Sequence, residues 1–336
     1  MDLMQTLRER AAARPMRVAF PEGENEVMMR AVAKVQAGGV AQCVLVGDPA
    51  RLLALAAERG VSLDGVELAD IADEAANASL AERYLALPEC RFKPKGVARR
   101  LARPMEHACI MQAVGDVDIM FAGIDCPTGD VISCGQTIVG LAEGIETVSS
   151  LGIFDVPGWD GPAGSLLGFG DSAVCVDPDP EELASIAISA CETWESLTGI
   201  EARCALLSYS TDGSAGDTPL VAKVRAARQI ANERRPDLKI DGEFQLDAAL
   251  RPEIAEKKVR RPSEVAGRAN LVIWPDINVG NIGVKLVQTF GHASAYGPML
   301  QGFRKIVCDC SRSAPVDEIV GNVVMSCVRA QALEEA

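Results

Sequence analysis

Asn270-Leu-Val-Ile-Trp274-Pro275-Asp-Ile-Asn278-Val-Gly280-Asn281-Ile-Gly283-Val-Lys285 opens the most informative stretch of the chain. An apolar run, Leu271 to Trp274, passes into a segment of Asn, Gly and one lysine. Gly297-Pro298-Met-Leu-Gln301-Gly302 follows, then a second apolar run closed by Asp309-Cys-Ser311-Arg312. Both runs read as strands that lead straight into small, polar or cationic residues opening a helix. In open α/β sheets, ligands bind beyond the carboxyl ends of strands, where helix N-termini offer free N–H groups. The stretch is therefore expected to hold an anion, and a phosphate suits it.

Working outward, strand-like runs alternate with helix-like segments along the whole chain, the α/β signature. Arg17 to Phe20 leads to Pro21-Glu-Gly and a helix from about Glu24. Gln42 to Val46 leads to Gly47-Asp-Pro49 and another helix, and Asp118 to Ala122 runs into Gly123 and a loop reaching Asp130. Asp177-Pro-Asp179-Pro180-Glu-Glu182 resembles an acidic metal site but reads better as a helix start. Asp179 is the expected N-cap, Pro180 the first helical residue and Glu182 the capping-box partner. That helix is expected to end at Gly199. Further units are a strand from Arg203 to Leu207, a helix from Pro219 to Arg234, a strand at Lys239-Ile240 and a last helix from near Pro315 to Leu333. The Gly/Pro/Trp-rich loop at 156–164 reads as a boundary region.

The chain has 336 residues and a net charge of −14. Such an acid excess argues against nucleic acid, where phosphate contacts dominate affinity. One stretch runs the other way: Arg91, Lys93, Lys95, Arg99, Arg100 and Arg103 occur with no acid among them. It is either a solvated helix face or a patch for a polyanion. The eleven cysteines form no CxxC pair; Cys43, Cys175, Cys204 and Cys327 sit in apolar context and read as small buried hydrophobes. With only His107 and His292, a His-rich metal site is excluded. No apolar run is long enough to span a bilayer. Met1 to Arg10 carries charge of both signs and reads as a helix start rather than a signal peptide.

Together these motifs resemble the phosphate acetyltransferase family, including its ethanolamine-utilisation type. The motifs are Ser208 to Ser214, Asp241 to Ala249, Pro275 to Lys285, Gly297-Pro298 with Gln301-Gly302, and Asp309-Cys-Ser311-Arg312. Weaker matches lie at Arg91 to Gly96, Thr128 to Asp130 and Thr147 to Ser150. The resemblance implies two α/β/α domains with a cleft between them, the second inserted in the first. The first domain is expected at 1–147 and 297–336, and the second at 148–296. The implied reaction is reversible acetyl transfer between coenzyme A and phosphate. No metal or cofactor is implied, coenzyme A being a substrate, and activation by a monovalent cation is left open. A cytoplasmic homodimer is the expected state, with association to a bacterial microcompartment left open.

This chemistry suits the residues at hand. Coenzyme A attacks acetyl phosphate as a thiolate, so a general base helps at neutral pH. The oxyanion and the released phosphate call for a hydroxyl and a guanidinium. Ser311 and Arg312 resemble the family's catalytic Ser-Arg pair. The family's catalytic aspartate falls on Glu318, with Asp317 beside it; both also suit the first turn of a helix. The resemblance places substrate binding at Arg91, Thr128, Ser149, Ser150, Ser210, Asn278, Asn281, Lys285 and Gln301. This chain departs from the family at Ser133, where an arginine is usual, at Cys126-Pro-Thr128-Gly129, and at Ser313-Ala-Pro315. Those departures leave transfer of another short acyl group, propanoyl or butanoyl, as an alternative. A catalytically weak paralogue with an assembly role is another. A nicotinamide-dependent dehydrogenase is disfavoured, since no GxGxxG follows an early strand.

Overall fold

A computed structural model describes residues 3–335, so residues 1, 2 and 336 of the expected first domain lie outside the described residues. In chain order the elements begin α1 (Leu3–Ala13), β1 (Met16–Phe20), α2 (Glu26–Ala37), β2 (Ala41–Gly47), α3 (Pro49–Arg59) and β3 (Glu67–Asp70). There follow α4 (Glu74–Leu85), α5 (Pro94–Leu101), α6 (Pro104–Val114), β4 (Ile119–Ala122) and α7 (Thr128–Cys134), which runs on into a π-helical turn at Gly135–Val139. Next come β5 (Ser149–Asp155), β6 (Leu166–Gly170), α8 (Pro180–Thr198), β7 (Arg203–Leu207), α9 (Pro219–Arg234) and β8 (Lys239–Phe244). The rest are α10 (Leu246–Leu250), α11 (Pro252–Lys258), β9 (Leu271–Ile273), α12 (Ile277–Gly291), β10 (Ser294–Gln301), β11 (Ile306–Asp309) and α13 (Val316–Glu335). Among the described residues no helix is long and apolar enough to cross a membrane.

The chain divides into two units, Met1–Gly140 with Phe303–Ala336, and Leu141–Gly302. These limits differ from the boundaries expected at 147 and 297. Gly297 to Gln301 belong to β10, which pairs antiparallel with β5 inside the second sheet. Ala142 N–H donates to Gly302 C=O at 3.0 Å, tying 141–147 to the same unit. The loop at 156–164 is no boundary: it joins β5 to β6, two antiparallel neighbours.

The first unit is built on a five-stranded parallel sheet in the order β11-β4-β1-β2-β3. Helices α6 and α13 each lie across β1, β2 and β4. α1 and α2 pack on α13, and α4 and α5 on α6, giving two helical layers. The central strands β1 and β4 are mostly apolar, as strands covered on both faces require; Val18, Ala19, Phe20, Ile119, Met120 and Phe121 are wholly buried. From β1 the chain steps one way to β2 and β3, then returns to the other side of β1 for β4. The topological switch point, where such folds place their ligands, therefore lies between β1 and β4.

The second unit has a six-stranded sheet, β10-β5-β6-β9-β7-β8, antiparallel at β10-β5-β6 and parallel beyond. Alternation along β6 shows its two covered faces. A Cβ on Gly168 would meet Trp194 of α8, whereas Leu167 and Phe169 join Val284 of α12 and Ala249 of α10 in the opposite core. Trp274 stacks on Phe169 with ring centroids 5.5 Å apart, anchoring the end of β9. The α8 start has the expected capping box, Asp179 with Glu182, and Gly199 closes the helix in the left-handed conformation. Cys43, Cys204 and Cys327 are buried as expected. Cys175 is only half-buried, because it follows the exposed bend after β6.

Candidate active site

The switch point of the first sheet is occupied by a side chain of the protein itself. β1 ends in Pro21-Glu22, and β4 ends in the loop Gly123 to Cys126. The Glu22 carboxylate accepts four consecutive backbone N–H groups from that loop: Gly123 at 2.8 Å, Ile124 at 2.9 Å, Asp125 at 3.1 Å and Cys126 at 2.9 Å. Successive N–H groups of this kind form an anion nest. Here the anion is Glu22, itself buried. Asn25, which caps α2, donates its amide to Asp125 at 2.8 Å and braces the loop from the other side. Burial, reinforced by Glu22, pushes the Cys126 thiol up to about 12. In the sequence Glu22 read only as part of a turn; its place directly after the first strand was the available signal.

Asp309 closes β11 beside this nest. Its Oδ2 accepts the Thr128 hydroxyl at 2.6 Å, while Oδ1 is buried without a partner. Gly123 makes room for it: φ there is +111°, and a Cβ would stand 2.1 Å from Asp309 Oδ1. No side chain fits that position. Burial lifts the Asp309 carboxyl to about 6, the Thr128 bond opposes the rise, and the charge of Glu22 adds to it.

Ser311, Arg312 and Ser313 follow as an exposed turn. Cys310 N–H donates to Ala122 C=O at 3.0 Å, which holds the turn's base against β4. Ala314 N–H donates to Ser311 C=O at 2.9 Å, closing the turn, and the hydroxyls of Ser311 and Ser313 lie 3.0 Å apart. The Arg312 side chain is exposed at the end of this turn. Asp317 and Glu318 stand in the first turn of α13 as expected, both exposed. Asp317 is engaged with Lys34 of α2 at 2.5 Å, and that cation holds its carboxyl below the usual range.

The basic stretch lies in the same unit. Arg91, Lys93, Lys95 and Arg99 are exposed. Arg100 is spent on structure, stacked 3.6 Å over the Phe92 ring and bonded to Gly96 C=O, and Arg103 pairs with Glu106 at 2.9 Å.

In the second unit the resemblance-derived residues divide sharply. Ser149, Ser150, Ser210 and Gln301 are buried; the serine hydroxyls and the Gln301 N–H₂ bond within the protein, while Gln301 Oε1 is buried without a partner. Ser149 accepts from Gln301 at 2.9 Å; Ser150 donates to Asp171, which also gathers the N–H groups of Ala173, Val174 and Cys175. Ser210 donates to Glu243 at 2.8 Å. Burial opposes ionisation of Glu243, but Arg225, Gly213 N–H and Ser210 hold it down at about 2. These four residues stand here as core polar groups rather than on the exposed surface. Asn278, Asn281 and Lys285 are exposed along one side of α12. The N-terminus of α12, expected to receive an anion, is capped: Asp276 accepts Asn278 N–H at 2.9 Å and Val279 N–H at 3.2 Å. Among the described residues no group of three His, Cys, Asp or Glu is placed to hold a metal ion.

Hence the anion positions that backbone alone would offer, after β4 and after β9, carry the protein's own carboxylates. In the first unit Ser311 and Arg312 stand exposed at the end of the sheet, a hydroxyl and a guanidinium able to meet an external anion. Comparison with known proteins agrees with this chemistry. Residues 2–327 match the model of the phosphate acetyl/butaryl transferase family. A phosphate acetyltransferase of Clostridium acetobutylicum is 37% identical over 332 residues, spanning 98% of this chain and 99% of the relative. A phosphotransacetylase structure from Streptococcus pyogenes superposes with a TM-score of 0.89 at 31% identity, covering 99% of this chain and 98% of that one. The EutD phosphotransacetylase of Staphylococcus aureus gives 0.87 at 28% identity, with 98% of each chain covered. The chain belongs to the phosphate acetyl/butaryl transferase family.

Proposed function

We propose that this protein is a phosphate acetyltransferase, an acyltransferase that converts acetyl-CoA and phosphate to acetyl phosphate and coenzyme A and back. The single observation that carries the reading is the exposed Ser311–Arg312 turn at the end of β11, beside the occupied switch point. In the direction of acetyl-CoA formation, the coenzyme A thiolate attacks the acetyl carbonyl, the C–S bond forms and the C–O bond to phosphate breaks. Ser311 donates its hydroxyl to the oxyanion, and Arg312 holds the phosphate oxygens through charge-assisted hydrogen bonds. Glu318 takes the thiol proton, leaving Asp317 to its ion pair with Lys34. Arg91, exposed and without an acid partner among the described residues, is assigned to a phosphate of coenzyme A. The polar stripe Asn278, Asn281 and Lys285 is assigned to substrate anions.

The homodimer is part of the same proposal. On α12, Val279, Ile282, Leu286 and Phe290 are 42, 59, 51 and 75% exposed and fall on one side of the helix. Monomers rarely leave such an apolar stripe in water. The next strand, β10, is an edge strand with Ser294 and Ala295 exposed. A second copy meeting this face about a two-fold axis would cover both. We place the reaction in the cytoplasm; eleven free thiols suit a reducing compartment.

The test is a thiol-release assay with phosphate and a panel of short acyl-CoA esters. Highest kcat/KM for acetyl-CoA is expected. A preference for propanoyl- or butanoyl-CoA would reassign the acyl group, and no turnover with any ester would overturn the reading.

A further inference from the structure

Three separate segments meet at one carboxylate in the first unit. Asp309 ends β11, Thr128 opens α7 after β4, and Glu22 follows β1. The Thr128 hydroxyl reaches Asp309 Oδ2 at 2.6 Å, and Oδ1 rests over Gly123, buried and unpartnered. A half-buried carboxylate with one oxygen buried and unpartnered is poorly compensated and costs stability. Strand ends that keep such a group next to a reactive turn are where function is found.

We propose that Asp309 is a positioning residue for acyl transfer: held by Thr128 over Gly123, its ionised carboxylate fixes the Ser311–Arg312 turn in the reactive geometry. The inference rests on the phosphate acetyltransferase reading. Its physical basis is direct. Cys310 N–H fixes the backbone of the turn to Ala122, and the Asp309 side chain adds a tie from the turn to α7. Hydrogen bonds to an ionised acceptor are about twice as strong as neutral ones, so protonating Asp309 loosens that tie. The ionisable groups that interact with it are Glu22 after β1 and the thiols of Cys308 and Cys310 on its own strand end. All are acids or thiols. They cannot offset the burial, which lifts the Asp309 carboxyl to about 6.

The experiment is steady-state acetyl-CoA formation from acetyl phosphate and coenzyme A across the acid range, with circular dichroism to confirm folding. For the wild type, kcat should fall on the acid side with a midpoint near the Asp309 value of about 6. Thr128→Ala removes a bond that lowers that value, so its midpoint should move to higher pH. Thr128→Ser should restore the wild-type midpoint. Asp309→Asn should lose the acid limb and run roughly tenfold or more slower at all pH. A merely structural role would lower the rate without moving the midpoint. An active wild type whose midpoint is shared by Thr128→Ala, or an acid limb retained in Asp309→Asn, overturns this inference alone. A wild type without acetyl transfer at any pH overturns the underlying reading and the inference together.

Discussion

Lys34 Nζ stands 2.5 Å from Asp317 Oδ1, and this ion pair separates the two adjacent carboxylates at the start of α13. Asp317 is turned to α2, while Glu318 has no such partner among the described residues. Adjacent positions on a helix are about 100° apart around its axis, so one can face a neighbouring helix while the next does not. That difference favours Glu318 over Asp317 for the proposed proton-accepting role.

Glu318→Gln keeps the size of the side chain and removes the proton acceptor. Its kcat should fall about a hundredfold or more, with KM for coenzyme A little changed. Part of the rate should return at higher pH as free coenzyme A thiolate accumulates. Asp317→Asn should stay within about twofold of wild type, since an exposed ion pair contributes little. The reverse ranking would move the role to Asp317.

Part of the order of strands and helices was legible in the chain where local signals carry it; β3, β5 and β6 were not read. The α8 capping box needs only Asp179, Pro180 and Glu182, and the strand from Arg203 to Leu207 needs only its own apolar run. Pairing is not local. Gly297 to Gln301 became an edge strand because β5 lies alongside, and nothing within those residues states that. The same holds for the site. A serine that binds substrate and a serine that satisfies a buried carboxylate are the same residue type, so Ser150 and Ser210 could not be told apart from ligand contacts without knowing about Asp171 and Glu243. Open helix N–H groups were expected after β9 and β11; after β9 Asp276 already fills them. The loop after β4, which raised no such expectation, is filled by Glu22, and spacing along the chain does not reveal that it folds back.

The raised Asp309 carboxyl has a thermodynamic consequence. Its folded value of about 6 lies above the ordinary value of 3.8, so the folded state binds this proton more tightly than the unfolded chain. The sign is opposite to that of a salt-bridged acid: the cost is absent below about 4, grows between the two values and is full above 6. It amounts to no more than roughly 3 kcal/mol. Asp309→Asn removes it, so its Tm relative to wild type should be more favourable at neutral pH than near pH 4. An equal Tm difference at both pH values would show that Asp309 does not titrate in this way.

Glu22→Gln leaves one oxygen for the four N–H groups of residues 123–126 and sets an amide N–H₂ against the others. Each buried donor left unpaired costs about 1–3 kcal/mol. Two such donors predict a loss of roughly 2–6 kcal/mol in denaturant unfolding, accompanied by lower kcat. Stability equal to wild type would mean that the nest does not hold the loop.

Arg91→Ala addresses coenzyme A. Loss of a charged hydrogen bond to a phosphate costs roughly 1.5–3 kcal/mol, so KM for coenzyme A should rise about tenfold or more. KM for acetyl phosphate should change little. Equal effects on both substrates would return Arg91 to a solvated helix face.

The most direct measurement compares wild type with Arg312→Ala in acetyl-CoA formation from acetyl phosphate and coenzyme A. Arg312 is exposed on its turn, so the variant should fold and melt like the wild type. With the guanidinium on the phosphate oxygens, its removal should cost a few kcal/mol of transition-state stabilisation and lower kcat/KM about a hundredfold or more. Near-wild-type turnover by a folded Arg312→Ala would contradict the assignment of the Ser311–Arg312 turn as the reacting centre.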